Sequence, residues 1–232
     1  MLSHMRSRSS VLSHVLGSHP QIVGHGELLR GYRSWIDMAI SRIQLNEKSR
    51  HKFFHDKLLH DYTLLDESLL LSDRNKIVFL LREPVDSTQS FVRLYRKEKP
   101  DCNRDDSAIH RDFFEYYSQR MATLVSMARK IKHRAILIDA EILMQETTKT
   151  LARIGNFLEL ESPLRQEFEL HEQSGTSGHG DTTGGLMAGK IQMQQHARAT
   201  DVDQQLAAKF SEIYRESRLA IEAAGVINDQ SC

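Results

Sequence analysis

Short apolar runs alternate along the chain with longer segments in which apolar residues recur every three or four positions. The runs at 77–81 and 135–138 are apolar throughout, which is typical of strands buried on both faces of a parallel sheet. The segments 28–45, 110–132 and 203–224 carry apolar residues at helical spacing and predict amphipathic helices. Strands that alternate with helices predict an α/β fold of three layers with a mostly parallel central sheet.

We predict one domain over residues 1–232. The remaining elements are predicted from weaker patterns. The segment 175–189 holds six of the chain's twelve glycines and predicts a loop. The helix predicted at 28–45 has Ile36, Ile40 and Ile43 on its apolar side. The other predicted elements are strands at 1–4, 21–23 and 52–59, helices at 10–18, 61–72, 86–95 and 140–158, a turn at 24–27, and a polar loop at 97–106.

The composition is that of a globular protein with balanced charge. Hydrophobic residues make up 40% and charged residues 27% of the 232 residues, and the formal net charge is +0. This balance argues against bulk electrostatic binding of nucleic acid. No apolar run approaches the ~20 residues that span a bilayer, and no signal peptide precedes the first motif, so we expect a soluble, cytoplasmic protein. Cys102 and Cys232 fit neither a disulfide framework nor a metal-binding spacing, and we expect reduced thiols.

A basic, hydroxyl-rich turn, Arg6-Ser7-Arg8-Ser9-Ser10 (the 6–10 turn), lies between the first short strand and the first helix. A strand, a turn and a helix in this order bring backbone N–H groups and the positive end of a helix to one point, which favours an anion. Arginine adds a planar fork of donors, and serine hydroxyls cap helices and bind anionic oxygens. An ordinary capped surface helix has the same pattern, so this motif alone leaves both interpretations open.

A second candidate anion site follows the clearest buried strand. Arg82 ends this strand, Pro84 turns the chain, and Ser90 lies eight residues beyond Arg82 in the next predicted helix. Ligands of open α/β sheets bind at the carboxyl ends of the strands, where an arginine and a hydroxyl can hold a phosphate from two directions. The alternative is that Arg82 pairs with Glu83 or Asp86 at a solvated rim. We favour the anion site, because the 6–10 turn is predicted at the same edge of the sheet.

The two motifs together resemble the sulfotransferase family, whose donor is 3′-phosphoadenosine 5′-phosphosulfate. The 6–10 turn is similar to that family's 5′-phosphosulfate loop, commonly Arg-Ser-Gly-Ser-Ser or Arg-Ser-Gly-Thr-Thr, and Arg8 stands where glycine is usual. Residues 80–84 with Ser90 are similar to its 3′-phosphate motif. The similarity runs in order over residues 1–164. It resumes at Gly189-Lys190-Ile191, which resembles the family's carboxyl-terminal nucleotide loop.

This resemblance implies which residues bind the donor nucleotide, and it implies a P-loop-like fold. The expected donor-binding residues are Arg6, Ser7, Arg8, Ser9 and Ser10 at the 5′ end, Arg82 and Ser90 at the 3′-phosphate, and Gly189 and Lys190 in a loop that closes over the nucleotide.

The resemblance also implies a catalytic base and cations near the transferred group. Glu27 lies in a Gly-Glu turn that relatives place near the acceptor, and we favour it as the base; the alternative is a solvated carboxylate at the start of a helix. His55 and His60 are rival bases, since other branches use a histidine on a neighbouring strand. Arg6 is expected to stabilise the leaving phosphate. Lys57 is expected to contact the bridging oxygen, although an exposed lysine is an equally good interpretation.

The expected reaction transfers a sulfuryl group to a hydroxyl or amine acceptor by in-line displacement, with no metal. Asp139 imitates a magnesium ligand of nucleotide hydrolases, but we prefer a helix cap at this position. A small P-loop kinase or NTPase is one alternative, and a non-catalytic nucleotide-binding module is another. The sequence selects neither an acceptor among small molecules, glycans, lipids and peptides nor an oligomeric state.

Overall fold

The computed structural model describes residues 1–24, 26–45, 51–63, 65–131, 135–170, 186–192 and 202–228. Its strands are β1 (Leu2–Ser3), β2 (Ile22–Val23), β3 (Phe53–Phe54), β4 (Ile77–Leu81), β5 (Ala135–Asp139) and β6 (Ile227–Asn228). Its helices are α1 (Ser9–Gly17), α2 (Trp35–Gln44), α3 (Glu67–Leu71), α4 (Pro84–Glu98), α5 (Asp106–Lys130), α6 (Ala140–Gln145), α7 (Thr147–Leu158) and α8 (Gln204–Ala223), and a 3₁₀ turn spans Leu186–Ala188.

The strands of the central sheet lie in the order β1-β4-β5-β6, and every neighbouring pair is parallel. A second parallel pair joins β2 to β3. The chain beyond β3 then reaches β1 through a parallel bridge between Leu58 and Leu2. The carboxyl ends of these strands therefore meet at one edge, and the prediction of a mostly parallel sheet is confirmed.

Helices cover both faces of the central sheet, which gives the predicted three layers. Phe79 of β4 packs in one core with Phe113 of α5. Leu80, the next residue, packs in a second core with Leu12 of α1. Successive side chains of a strand point to opposite faces, so a run that is apolar at every position satisfies both cores.

The helix predicted over 28–45 is wrong at its amino end and in the side that it buries. α2 begins only at Trp35, because Ser34 and Asp37 form a capping box there. Helical periodicity predicts that a helix has an apolar side, but it does not predict whether another part of the protein covers that side. The isoleucines of that side are 69%, 43% and 73% exposed at Ile36, Ile40 and Ile43.

The segment between β3 and β4 contains less regular structure than predicted. The strand predicted over 52–59 is limited to β3 and the bridge at Leu58. The helix predicted over 61–72 is reduced to α3, which starts late because the Asp66 side chain caps it by accepting from the Ser68 N–H.

Other helix boundaries shift by smaller amounts. The helix predicted over 140–158 divides at Glu146 into α6 and α7. The helix predicted over 86–95 extends at both ends, since Pro84 occupies its first position. Most of the loop predicted over 175–189 lies outside the described residues. Across the described ranges, no helix is both long and apolar enough to cross a bilayer.

A buried arginine on α5 joins the two strand ends that lead to the candidate site. Arg120 is 1% exposed. Its Nε donates to Ser3 O at 2.8 Å and its Nη2 to Leu58 O at 2.6 Å. Its Nη1 donates to Asp61 Oδ1 at 2.8 Å. One guanidinium thus satisfies oxygens from two neighbouring strand segments, which buried carbonyls require.

Arg120→Leu is expected to lower the free energy of unfolding by about 3–5 kcal/mol. It removes the guanidinium donors to the Ser3 and Leu58 carbonyls and the ion pair with Asp61, and Leu58 O then keeps the Ser3 N–H at 3.2 Å. Arg120→Lys is expected to recover only part of this loss, since an ammonium group lacks the planar fork. Urea unfolding measures both. The matched change Arg111→Leu, at an exposed arginine of the same helix, is expected to stay within about 0.5 kcal/mol of the unmodified protein. Equal effects at the two positions would contradict this role of Arg120.

Candidate active site

The 6–10 turn connects β1 to α1 with two residues in the left-handed region. Arg6 has φ 62° and Arg8 has φ 65°, and α1 begins directly afterwards at Ser9. Arg8 occupies the cap position of α1 without a side-chain capping bond. The conformation at Arg8 is the one that glycine adopts at low cost. The turn therefore has the backbone geometry of a glycine-containing loop, with an arginine side chain added.

The serines of the 6–10 turn have different surroundings. Ser7 is buried, and its hydroxyl lies 2.6 Å from Ser3 Oγ of β1. Ser9 is also buried, in the first turn of α1. Ser10 Oγ accepts from Lys57 Nζ at 3.0 Å. Ser7 thus holds the turn to β1, and Ser10 links it to the segment that follows β3.

Arg82 and Ser90 lie against the 6–10 turn. Arg6 Nε donates to Ser90 Oγ at 2.9 Å. Arg82 Nη1 donates to Arg6 O at 3.1 Å. The structure therefore brings both sequence motifs, which are separated by more than seventy residues, into one site at the carboxyl edge of the sheet.

Arg82 also has carboxylate partners. Its Nε lies 3.3 Å from Glu141 Oε1, and its Nη2 lies 3.5 Å from Asp86 Oδ2. Glu83 instead caps α4 by accepting from the Asp86 N–H. Burial raises the pKa of Glu141, and the charge of Arg82 opposes that rise. The ion pair with Asp86 that the sequence offered as an alternative is therefore present within the same cluster.

Arg8 adds a third guanidinium to this cluster. Burial lowers the pKa of Arg8 most strongly, and the nearby charge of Arg82 lowers it further, while Glu141 and Asp86 oppose the shift. A guanidinium stays charged in proteins in spite of such shifts. Positive charge is therefore concentrated where Arg8 and Arg82 approach each other, next to the 6–10 turn.

Glu27, Lys57 and His60 form a second cluster beside Ser10. Lys57 Nζ lies 3.7 Å from Glu27 Oε2, and His60 Nε2 lies 3.9 Å from Glu27 Oε1. Within the described part of the chain, Glu27 Oε1 is a buried oxygen without a hydrogen-bond partner. Burial raises the pKa of Glu27 and lowers the pKa of Lys57, and each opposes the other's shift. The arrangement presents a buried carboxylate oxygen that can accept a proton.

The two histidines considered as rival bases face different groups. His55 Nε2 lies 3.0 Å from Ser13 Oγ on α1. His60 lies beside Glu27, and its ring stacks on Tyr62 with centroids 4.8 Å apart and planes at 10°. Tyr62 is 68% exposed. Of the two, His60 is the one that adjoins the carboxylate.

A close backbone contact fixes the turn that carries Glu27. Gly24 has φ 103°, and a Cβ at this position would lie 2.1 Å from the His55 carbonyl oxygen. Only glycine fits this approach. The Glu27 turn and the strand segment that carries Lys57 are therefore in direct contact.

Gly189 and Lys190 pair with a neighbouring segment. Gly189 has φ 63°, and its carbonyl accepts from the Phe168 N–H at 2.8 Å. Lys190 is exposed and forms an antiparallel bridge with Glu167. Phe168 in turn packs against His14 of α1, with ring centroids 5.6 Å apart. Both residues are thus held near the side of α1.

Polar side chains that support the site from α5 and β1 were not predicted from the sequence. The Tyr116 hydroxyl accepts from the Met5 N–H and donates to Leu59 O, both at 2.7 Å. His4 accepts from the Arg82 N–H, and Arg120 holds the ends of two strand segments. A tyrosine and an arginine within an apolar helical stripe give no sequence signal of this role, because their partners are distant in sequence.

Asp139 acts as the preferred helix cap. It accepts from the N–H groups of Glu141 and Ile142 at the start of α6, and from the Tyr214 hydroxyl at 2.7 Å. Among the residues that the structure describes, no group of three or more histidine, cysteine, aspartate or glutamate side chains is placed to hold a metal ion.

Two solved structures are similar to this chain. The sulfotransferase domain of the Synechococcus PCC 7002 olefin synthase matches with a TM-score of 0.54 at 17% identity, over 96% of this chain and 92% of that chain. The sulfotransferase domain from the curacin biosynthetic pathway matches with a TM-score of 0.49 at 15% identity, over 97% and 96%. No curated protein gives a significant match.

A sequence match identifies the family directly. Residues 33–163, more than half of the chain, match the sulfotransferase family. The matched segment contains Lys57, Arg82 and Ser90, and the 6–10 turn precedes it. The similarity to the sulfotransferase domain of the olefin synthase shows the same fold. The chain therefore belongs to the sulfotransferase family.

Proposed function

We propose that this sulfotransferase uses 3′-phosphoadenosine 5′-phosphosulfate as its donor and binds the two ends of the nucleotide with the two motifs. The observation that carries the proposal is the contact of Arg6 with Ser90 and of Arg82 with the Arg6 carbonyl. Because these groups lie within hydrogen-bond distance of one another, a single adenosine with anions at both ends can reach both motifs.

The residues present fit such a donor at its 5′ end. The first-turn N–H groups of α1 have no partners within the helix and favour an anion, as does the positive helix end. Arg6 and Ser10 lie at this point, and Lys57 Nζ reaches it through Ser10. Ser7 and Ser9 contribute mainly their backbone N–H groups, since both side chains are buried.

The 3′ end fits the cluster around Arg82. The guanidinium now held by Glu141 and Asp86 can exchange a carboxylate for a phosphate oxygen, which is an equally strong acceptor. Ser90 provides a hydroxyl beside it, and Arg8 supplies a further positive charge that offsets Glu141. We assign Gly189 and Lys190 to the outer wall of the nucleotide site, since their segment packs through Phe168 against α1.

The Glu27 cluster supplies the proton chemistry of the transfer. Glu27 takes the proton of the acceptor hydroxyl while the acceptor oxygen forms a bond to sulfur and the bond from sulfur to the donor's bridging oxygen breaks. A buried carboxylate with a raised pKa is a better base near neutral pH than an exposed one. Lys57 and Arg6 stabilise the charge that develops on the leaving phosphate.

The acceptor reaches Glu27 from the side of Tyr62. The Tyr62 ring is exposed and stacks on His60, which lies 3.9 Å from the carboxylate. His60 has its pKa lowered by burial and by the charge of Arg120, so it is uncharged at neutral pH. We therefore assign His60 to orientation of Glu27 and of the acceptor, and Glu27 to proton removal.

Arg82→Ala is expected to weaken binding of 3′-phosphoadenosine 5′-phosphate by roughly 10- to 100-fold, because a charge-assisted hydrogen-bond pair is lost. Binding of adenosine 5′-phosphosulfate, which lacks the 3′-phosphate, is expected to change little. Isothermal titration calorimetry measures both, and Arg111→Ala, at an exposed arginine of α5, is the control. Equal losses for the two nucleotides, or none, would contradict the assignment of Arg82.

Glu27→Gln is expected to lower kcat by roughly 10²–10⁴-fold, since a general base is lost. In the unmodified enzyme, kcat is expected to rise with pH as Glu27 loses its proton. This rise lies above pH 4.5, the usual pKa of a glutamate, because burial raises the pKa of Glu27. At higher pH, kcat is expected to fall as Lys57 loses its proton. This fall begins below pH 10.5, the usual pKa of a lysine, because burial lowers the pKa of Lys57. Transfer from radiolabelled donor to a panel of phenol, sugar, lipid and peptide alcohols measures the profile.

The control for this experiment is Glu115→Gln, at an exposed glutamate of α5, which is expected to leave the rate and the profile unchanged. A Glu27→Gln variant that kept the acidic limb of the profile would assign the base to another residue, with His60 the next to be changed.

Arg8→Ala and Arg8→Gly separate the backbone strain of Arg8 from its charge. Both remove the guanidinium and are expected to weaken binding of 3′-phosphoadenosine 5′-phosphate by a similar factor. Only Arg8→Gly relieves the left-handed conformation, so it is expected to be more stable than Arg8→Ala by about 1 kcal/mol. Urea unfolding and calorimetry of the two variants provide the comparison. Equal stabilities of the two variants would refute the backbone strain at Arg8. An unchanged affinity in both variants would refute the contribution of the Arg8 charge to binding.

A further inference from the structure

His4, the residue directly after β1, bridges the backbones of the two anion-binding motifs. Its ring is buried, with Nδ1 2.8 Å from Met5 O and Nε2 3.1 Å from the Arg82 backbone N. A carbonyl oxygen only accepts and an N–H only donates, so Nδ1 carries the proton and Nε2 accepts. The ring therefore connects the residue before Arg6 to the backbone of Arg82.

The surroundings of His4 hold it in this one uncharged form. Burial lowers its pKa to about 3, and the charges of Arg82 and Arg120 contribute to the shift. The ring of Tyr117 packs edge-on against it, with centroids 4.9 Å apart. Both ring nitrogens have partners, so His4 has no proton to exchange with a substrate and no direct part in the chemistry.

The Ser3 hydroxyl also crosses this gap, 2.5 Å from Leu80 O and 2.6 Å from Ser7 Oγ. The two contacts that Arg6 and Arg82 make differ from the His4 bridge in one respect. The Arg6–Ser90 and Arg82–Arg6 hydrogen bonds use guanidinium groups, and these are the groups that the proposed function assigns to the donor's phosphates. When such a group turns to a phosphate, its present bond is weakened. The bridge through His4 uses an imidazole ring and backbone groups, so it does not have to break when a guanidinium turns to a phosphate.

We propose that His4 is a positioning residue that sets the spacing between the 6–10 turn and the pair Arg82 and Ser90, so that one nucleotide engages both. The inference rests on the proposed donor. Binding at two ends gains affinity because the second contact is intramolecular, and this gain is lost when the spacing is wrong. A single-ended ligand gains nothing from the spacing.

The test compares a two-ended ligand with two single-ended ones by calorimetry. The probes are 3′-phosphoadenosine 5′-phosphate, adenosine 5′-phosphate and adenosine 3′-phosphate. His4→Leu is expected to weaken binding of the bisphosphate by roughly 10- to 100-fold and that of each monophosphate by less than about threefold. His4→Gln is expected to recover most of the loss, because an amide oxygen can accept from the Arg82 N–H in place of Nε2.

Each remaining outcome has a defined meaning. If His4→Leu weakens all three nucleotides by the same factor, or none, the role of His4 in spacing is refuted. If the unmodified protein binds the bisphosphate no more tightly than the monophosphates, the proposed donor is refuted instead. His110→Leu, at another buried histidine, whose charged neighbours are Asp105 and Asp106, controls for loss of a buried ring. Thermal unfolding of each variant confirms that the folded state is compared, and His4→Gln keeps the test valid if His4→Leu does not fold.

Discussion

Three oxygens converge on the buried guanidinium of Arg120, and the position of both halves of the site depends on this interaction. One oxygen belongs to Ser3, which leads into the 6–10 turn, and another to Leu58, which directly follows Lys57. β1 consists of two residues, so its own ladder supplies few hydrogen bonds. A side chain from α5 therefore does what a longer strand would do, and it ties the 6–10 turn to the segment that carries Lys57.

The positive charge of the site is partly offset before any ligand arrives. Arg8 and Arg82 approach each other at the carboxyl edge, and Glu141 and Asp86 lie beside them. Under the proposed function, a nucleotide would exchange acceptors on donors that are already oriented and would not have to organise loose side chains. Groups that are already oriented lose less entropy on binding and stabilise developing charge without reorganisation.

A segment could be predicted from the sequence where its own pattern of apolar and polar residues leaves room for only one environment. The run at 77–81 is apolar at every position, so only a strand between two cores accommodates it, and β4 has these bounds. The apolar side of 28–45 has no such constraint, and its three isoleucines lie on the surface. The 6–10 turn and Arg82 could be recognised because their motifs are local. His4 and Arg120 could not, since what they do is defined by backbone groups of Arg82, Ser3 and Leu58 that lie 62 to 117 residues away in the chain.

The contact of Gly24 with the His55 carbonyl has a consequence for how the enzyme can diversify. The two backbones meet where no methyl group fits, three residues before Glu27 and two before Lys57. Substitutions on the surrounding surface can then accumulate without altering the separation of these two side chains. Under the proposed function, new acceptors would evolve through changes around the exposed Tyr62, while Glu27 and Lys57 keep their relative positions.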